Sequence, residues 1–485
     1  MVNKVYQVSS VIEEKKGSKH NQVLMSIVVC MPILAYGTAM GWISPHKALL
    51  MSDSSPSNQP VTGEDVSWMA SIMFIFAPIA VFVFGVATDK FGRKNALLCA
   101  SVPISLGWVV KLSCAHPIAL IGARALIGFG SGGAFVVCPL YVKEISEDSI
   151  RGMTGTFVIF SQTVGNLFVF VLGDMLSFHT VLWILLAIPL LHFCILLKLP
   201  ESPSFLIKCG KNKEAAKVLS CLRSLPEDDK SIAEEIDQLV VEQDTSEPKF
   251  SPRLLFADKT AVKAFWVVFI VNLIREFCGC IAVLVYASHI FTAAGENGNG
   301  IALSANKQSI LLAVVQIIGS FVACQLVDRV GRKPLLIITS VVAGFSMCLL
   351  GVWFYLQSIE VYLNGWVPIV ALCLAIFADA SGLQPLPYVV MTEMFSFKLR
   401  GTVATLVVAT ALGTDFALLK LFAPLIDLIG YHSVFWIFSF ICLANVFYLI
   451  FCVPETKMRP LEEIYAELEG KKRKKEEKIV ETNHV

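Results

Sequence analysis

The stretch DKFGRK at residues 89–94 decides the fold, because it recurs as DRVGRK at residues 328–333. Two further signatures recur in the same order. Glu144 with Arg151 returns as Glu393 with Arg400 at the same spacing, and PES at 200–202 returns as PET at 454–456. A triple match in register indicates that the second half of the chain repeats the first half.

The composition indicates a protein that is embedded in a membrane. The chain has 485 residues, of which 55% are hydrophobic and only 16% are charged. A soluble protein normally carries about 25% charged residues. The mean hydropathy is +0.69, and the net charge of +1 argues against nucleic-acid binding as the main activity.

Apolar stretches of about 20 residues, the length that crosses a bilayer, divide the chain into twelve predicted spans. Spans 1 to 12 are predicted at 24–44, 67–87, 96–115, 117–138, 153–173, 180–199, 262–291, 305–327, 334–356, 365–391, 402–428 and 431–453. We therefore predict an all-α membrane protein with twelve transmembrane helices in two six-helix, pseudo-symmetric halves. Two such parallel repeats, with a substrate site between them near the midplane of the membrane, are a known transporter plan.

The distribution of Lys and Arg predicts the orientation, because cytoplasmic loops carry an excess of both residues. With the N-terminus in the cytoplasm, only Lys47 and Lys307 fall in outer loops. The predicted organisation is a cytoplasmic N-terminal segment at 1–23, halves at 24–199 and 262–453, a cytoplasmic helical loop at 200–261 and a cytoplasmic tail at 454–485. Within the loop, amphipathic helices are expected at Lys213–Leu225 and Ser231–Glu242.

The repeated signatures all fall at predicted cytoplasmic ends of spans, where their chemistry predicts an inner gate. Gly92 and Gly331 allow tight turns, and arginine pairs well with carboxylates. The predicted gate residues are Asp89, Arg93, Glu144, Arg151, Glu201, Asp328, Arg332, Glu393, Arg400 and Glu455. The alternative is that the two DxxGRK loops only satisfy the excess of positive charge inside.

Several motifs resemble the sugar porter family of the major facilitator superfamily. They include RALIGFGSGG at 124–133, PESPSFL at 200–206, LVDRVGRKPLL at 326–336 and VPETKMRPLEEI at 453–464, and GTAMGWISP at 37–45 looks most like the insect facilitated trehalose transporter group. The resemblance implies the major facilitator fold, alternating access, a sugar as the small-molecule partner and a plasma-membrane location. We expect a monomer that contacts the lipid bilayer and needs no cofactor.

The resemblance also implies where substrate would bind, although several family residues are replaced. Span 7 carries Arg275 and Glu276 where the family has glutamines, and span 10 carries Gln384 and Tyr388 around its two prolines. We hypothesise that the substrate cavity is lined by Gln162, Arg275, Glu276, Gln316, Gln384, Tyr388 and Asp415. Neutral donors and acceptors such as the glutamines, together with an aromatic face such as that of Tyr388, suit sugars.

Two questions stay open at this level. Arg275 and Glu276 either pair with helix neighbours or face the cavity, where Arg275 would bind an anionic solute. Span 1 contains no Asp or Glu, which favours facilitated diffusion, whereas Glu276, Asp379 and Asp415 keep proton coupling open. The predicted function is a facilitative transporter of trehalose or a hexose. The alternatives are a transporter of a charged or polyol solute, with or without proton coupling, and a non-transporting sensor.

The sequence carries no constellation of catalytic or metal-ligating residues, so we predict neither an enzyme nor a metal site. The 14 cysteines mostly sit inside apolar runs, where they behave as small apolar residues. Cys278 and Cys280 form an isolated CxC, for which metal binding is not expected.

Overall fold

The structure is a computed structural model that describes residues 18–57, 59–244, 252–295, 303–361 and 364–468. Most of the predicted N-terminal segment (residues 1–17) and the end of the predicted tail (residues 469–485) lie outside the described residues. The described chain is helical almost throughout.

Eleven helical stretches among the described residues are long and apolar enough to cross a membrane. Their bounds are His20–Leu50, Gly63–Phe91, Arg93–Ser113, Pro117–Ile145, Ser149–Met175, Phe178–Lys198, Lys259–Val285, Ala305–Val327, Arg332–Ser358, Trp366–Met394 and Gly401–Cys452. The last is 52 residues long, enough for about two crossings. It contains a non-helical residue, Gly430, with φ of 77°. This kink lies between predicted spans 11 and 12, so the twelve predicted spans are all present.

Each half packs its own spans together, and the main contacts between the halves join three pairs of spans. Span 1 meets span 7, span 2 packs on span 11, and span 5 packs on span 8. Spans 1 and 7 occupy corresponding positions in the two repeats, and the pseudo-symmetry exchanges the 2–11 pair with the 5–8 pair, as expected for pseudo-symmetric halves. Many large apolar side chains point outward, among them Phe345, Phe440 and Phe451, and a bilayer would cover them.

The repeated signatures lie together at one end of the spans, which we call the motif side. The linker between the halves forms helices Pro203–Lys208, Asn212–Arg223, Lys230–Asp244 and Pro252–Ala257, and a further helix, Leu461–Leu468, follows span 12. The second and third of these match the two predicted amphipathic helices. Arg223 holds them against span 4 because it pairs with Glu235 at 2.5 Å and donates to the Ile145 carbonyl at 2.9 Å.

Candidate functional site

The first half carries a compact ionic cluster on the motif side. Gly92 ends span 2 with φ of 89°, a conformation that favours glycine, and turns the chain directly into span 3. The next residue, Arg93, places its Nη2 atom 2.8 Å from Glu144 of span 4. The Glu201 carboxylate accepts hydrogen bonds from the backbone amides of Arg93 at 2.9 Å and Lys94 at 3.0 Å. This cluster ties the ends of spans 2, 3, 4 and 6 together.

The second half repeats this cluster residue for residue. Gly331 has φ of 105°, and the Nη2 atom of Arg332 lies 2.8 Å from Glu393. The Glu455 carboxylate accepts from the backbone amides of Arg332 at 3.1 Å and Lys333 at 3.2 Å. The repeated signatures therefore encode the same local structure twice.

These contacts lie within each half, so the clusters brace the ends of the spans in this conformation. The structure thus brings together six of the predicted gate residues as two groups of three: Arg93, Glu144 and Glu201, and Arg332, Glu393 and Glu455. Asp89 lies apart, because its exposed carboxylate faces Lys208 of the linker at 3.9 Å. Arg151 is exposed at the start of span 5. The side chains of Asp328 and Arg400 lie outside the described part of the structure.

At the opposite end of the spans the two halves touch each other. The Ser288 backbone amide, after span 7, donates to Ser44 Oγ of span 1 at 3.0 Å. The ammonium group of Lys420 in span 11 lies 4.1 Å from the ring centre of Trp68 in span 2. The mouth opposite the motif side is therefore bridged by contacts between the halves.

A charged cluster lies in the membrane-spanning part of the second half. Arg275 Nη1 lies 2.5 Å from Glu276 Oε1, and Arg275 Nε lies 4.0 Å from Asp379 Oδ1 of span 10. The Asp415 carboxyl group of span 11 lies within hydrogen-bonding reach of the Glu276 carboxyl group. Tyr388 lies within electrostatic range of Arg275, Glu276 and Asp415. The structure therefore brings together four of the predicted substrate-binding residues.

Two local irregularities position this cluster. Gly279, with φ of 84°, separates the helix Lys259–Phe277 from the helix Cys280–Val285, so span 7 is broken just after Glu276. In span 10, residues Asp379–Leu383 form a π-helical turn. Broken spans and π-helical turns both occur frequently at functional sites.

Tyr36 of the first half lies near this cluster, and Arg124 lies near Tyr36. Tyr36 of span 1 lies within electrostatic range of Glu276 and Asp415 in one half and of Arg124 in its own half. Its ring packs edge-on against Phe135 with the ring centres 5.0 Å apart. Arg124 is fully buried and donates to the Ala39 carbonyl at 2.5 Å. Tyr36 thus links the polar interiors of the two halves.

The three predicted glutamines occupy separate places around this region. Gln162 of span 5 donates to the Met40 sulfur at 3.7 Å. Gln316 of span 8 is buried, and its side-chain oxygen accepts no hydrogen bond from the described residues. Gln384 follows the π-helical turn, and its side-chain oxygen also accepts none from that part of the chain. Both oxygens are therefore available to a bound solute or water.

Sequence reasoning missed Tyr36 and Asn166 as site candidates. Asn166 of span 5 is buried, and both polar atoms of its amide lack a hydrogen-bond partner among the described residues. A buried amide normally finds partners, so an asparagine inside an apolar span is a usable signal. Tyr36 carries no such signal, because a tyrosine is ordinary in a membrane helix and only the fold shows what it faces.

Two helical halves joined by three pairs of spans, with polar residues between them and a repeated ionic cluster at one mouth, define a membrane transporter of the major facilitator type. Residues 2–468 match the family described as sugar (and other) transporter. The chain belongs to this family, whose members are transporters and not enzymes.

The curated relatives agree with this assignment. The chain is 29% identical to the facilitated trehalose transporter Tret1 of Bombyx mori over 92% of its own length and 86% of that protein. It is 28% identical to the protein of the same name from Apis mellifera ligustica, over 93% of this chain and 88% of that protein. The expected likeness to the insect facilitated trehalose transporters is confirmed.

Solved structures confirm the fold. The xylose transporter XylE from E. coli in its inward-open conformation superposes with a TM-score of 0.75 at 20% identity, over 92% of this chain and 99% of that chain. The proton:xylose symporter XylE bound to 6-bromo-6-deoxy-D-glucose gives a TM-score of 0.69 at 21% identity, over 92% and 98% of the two chains. The major facilitator fold predicted from the repeats is therefore correct.

Proposed function

We propose that the protein is a facilitative sugar transporter, with trehalose or a hexose as its substrate, that works by alternating access. The observation that carries the proposal is the polar region between the halves, to which span 1 contributes Tyr36 and spans 7, 10 and 11 contribute Glu276, Tyr388 and Asp415. A site built from both halves is what rigid-body rocking requires. The named activity of the insect relatives supports the same substrate class.

The pairing of Arg275 favours a neutral solute over an anionic one. Its guanidinium contacts Glu276 at 2.5 Å and faces Asp379 at 4.0 Å, so its charge is directed at protein carboxylates. A bound anion would have to compete with both. The unpartnered oxygens of Gln316 and Gln384 and the ring of Tyr388 are groups that suit sugar hydroxyls and the apolar face of a sugar ring.

Span 1 favours facilitated transport without proton coupling. His20–Leu50 contains no Asp or Glu, so the span that meets the broken span 7 offers no carboxylate to a proton. An intramembrane carboxylate is costly and usually marks a proton or ion pathway. Asp379 and Asp415, in later spans, keep proton coupling as the competing candidate.

The excess of Lys and Arg supports a cytoplasmic motif side, with both chain termini in the cytoplasm. The family resemblance supports the plasma membrane as the location. In this proposal residues 24–199 and 262–453 move as the two halves, and the helices of residues 200–261 connect them on the cytoplasmic side. Labelling of single engineered cysteines from one side of intact cells tests the orientation. Labelling of a cysteine at Lys211 from outside would contradict it.

Uptake of radiolabelled trehalose and glucose into vesicles that contain the purified protein tests the function, with and without an inward proton gradient. Vesicles without protein are the control. We expect saturable uptake of at least one sugar at the same rate with and without the gradient. Stimulation by the gradient would establish proton coupling instead. Uptake of neither sugar by protein shown to be folded would favour a charged or polyol solute, or a sensor.

A further inference from the structure

Three thiols and a carboxylate converge beside the break in span 7. Atoms of Cys278, Cys280 and Asp379 that can bind a metal all lie within 4.8 Å of one another. The Cys442 thiol of span 12 lies within hydrogen-bonding range of the Cys278 thiol. All four side chains are at least 97% buried, and the three cysteines are free thiols.

The local backbone explains why the two cysteines of the CxC converge. Side chains at positions i and i+2 of a continuous helix point in different directions. Here Gly279 adopts φ of 84° between them and interrupts the helix. A Cβ atom at this position would lie 2.3 Å from the Phe438 ring, so both the space and the conformation require glycine. The CxC therefore presents its two sulfurs to the same place.

Asp379 supplies an independent observation that points to a cation site. It is the first residue of the π-helical turn in span 10, and its Oδ1 atom accepts no hydrogen bond from the described residues although it is buried. Its nearest cation, Arg275, is 4.0 Å away and is already paired with Glu276 at 2.5 Å. A buried carboxylate without a close partner is costly, and a bound cation would remove that cost.

We propose that Cys278, Cys280 and Asp379 bind a thiophilic divalent cation of the Zn²⁺ type. Thiolates select soft or borderline metals and disfavour Mg²⁺ and Ca²⁺. A carboxylate in the ligand set favours Zn²⁺ over Cu⁺, which prefers sulfur ligands alone. Two thiolates and one carboxylate carry three negative charges, of which a divalent cation neutralises two.

The spacing fits this metal after small side-chain movements. In a tetrahedral site with Zn–S bonds of about 2.3 Å, two sulfur ligands are about 3.8 Å apart. The three ligand atoms lie within 4.8 Å of one another without a metal. Ligation would join the break in span 7 to span 10. The site lies next to the Arg275–Glu276 pair but uses neither residue as a ligand.

Equilibrium dialysis of the full-length, metal-free protein in lipid nanodiscs against Zn²⁺ tests the site, with a purification tag that lacks histidine. We expect one tightly bound Zn²⁺ per chain and no binding of Mg²⁺ at the same concentration. Cys278→Ser and Asp379→Asn should each weaken Zn²⁺ binding by more than about tenfold, the scale on which even outer partners of a metal site act. Cys373→Ser is the matched control, because this half-buried cysteine lies in span 10 but outside the cluster.

A second readout does not depend on the variants folding normally. Cd²⁺ added to the wild-type protein should produce the ultraviolet absorption band of cadmium–thiolate bonds at one equivalent, and Zn²⁺ should displace it. Absence of this band, or a stoichiometry of zero for Zn²⁺, would overturn the proposal. Equal binding by Cys278→Ser and Cys373→Ser would also overturn it, since the metal would then sit elsewhere. Preferential binding of Cu⁺ over Zn²⁺ would show that the assigned metal class is wrong.

Discussion

Arg275 and Glu276 are neighbours in sequence and also partners in space, with Nη1 and Oε1 2.5 Å apart inside the membrane. Adjacent residues on a regular helix point in different directions. Both residues lie in the last turn of the helix Lys259–Phe277, just before the break in span 7. The two residues therefore form an ion pair at the edge of the region between the two halves.

Replacing one member of this pair should destabilise the protein more than replacing both. Arg275→Gln leaves Glu276 facing Asp415 without its cation, and breaking a buried pair in this way costs about 3 to 5 kcal/mol. The double variant Arg275→Gln/Glu276→Gln should recover much of the lost stability. Thermal unfolding of the wild type, the two single variants and the double variant in detergent gives the coupling energy as a double-mutant cycle.

The exposed pair of Lys211 and Glu214, 3.2 Å apart, is the matched control for this cycle. Its coupling energy should stay below about 0.5 kcal/mol, because solvent screens surface ion pairs. A buried pair that couples no more strongly than this surface pair would contradict the interpretation. Unaltered sugar uptake by both single variants would remove Arg275 and Glu276 from the substrate site.

The sequence predicted the arrangement of residues at the motif-side ends of the spans better than their arrangement in the middle of the membrane. Arg93 and Arg332, with their carboxylates, could be identified because the same short pattern occurs twice, and each copy folds through local turns. The approach of Asp379 to Cys278 and Cys280 could not be predicted, since it depends on a π-helical turn and on a left-handed glycine. Tyr36 was not predicted for a related reason, because its importance depends on which residues of the opposite half lie near it.

The two motif-side clusters should contribute equally to stability. Arg93 and Arg332 each lie 2.8 Å from their glutamate, and both arginine side chains are 12% exposed. Arg93→Lys and Arg332→Lys each lose a two-nitrogen contact with a carboxylate, which we expect to cost about 1.5 to 3 kcal/mol. Thermal unfolding of the two variants checks this expectation.

Asp89→Asn is the control for the clusters, because its carboxylate is 68% exposed and reaches Lys208 only at 3.9 Å. Its effect should stay below about 0.5 kcal/mol. A loss as large as that of Arg93→Lys would show that Asp89 belongs to the cluster after all. A large loss of stability for Arg93→Lys with no loss for Arg332→Lys would contradict the equivalence of the two halves.

The hydroxyl of Tyr36 should contribute to substrate affinity. Tyr36→Phe keeps the edge-on packing against Phe135 and removes the only polar group of the side chain, which faces Glu276 and Asp415 across the interface. One hydrogen bond of about 1 kcal/mol corresponds to a rise in KM of about fivefold. Initial uptake rates over a range of sugar concentrations measure it. Tyr355→Phe, at a side chain that is 42% exposed on span 9, should leave KM unchanged.

Joining the halves at the mouth opposite the motif side should stop transport reversibly. The Ser288 amide and the Ser44 hydroxyl are 3.0 Å apart across the interface, so cysteines at these two positions are close enough to form a disulfide when this mouth is closed. Alternating access requires the same contact to open in every cycle. Oxidation of Ser44→Cys/Ser288→Cys should therefore abolish uptake, and a reductant should restore it.

Each single variant, treated identically, controls for oxidation of the 14 native cysteines. Full uptake by the double variant with its disulfide verified by mass spectrometry would mean that the halves need not separate at this mouth, and the rocking mechanism would have to be abandoned.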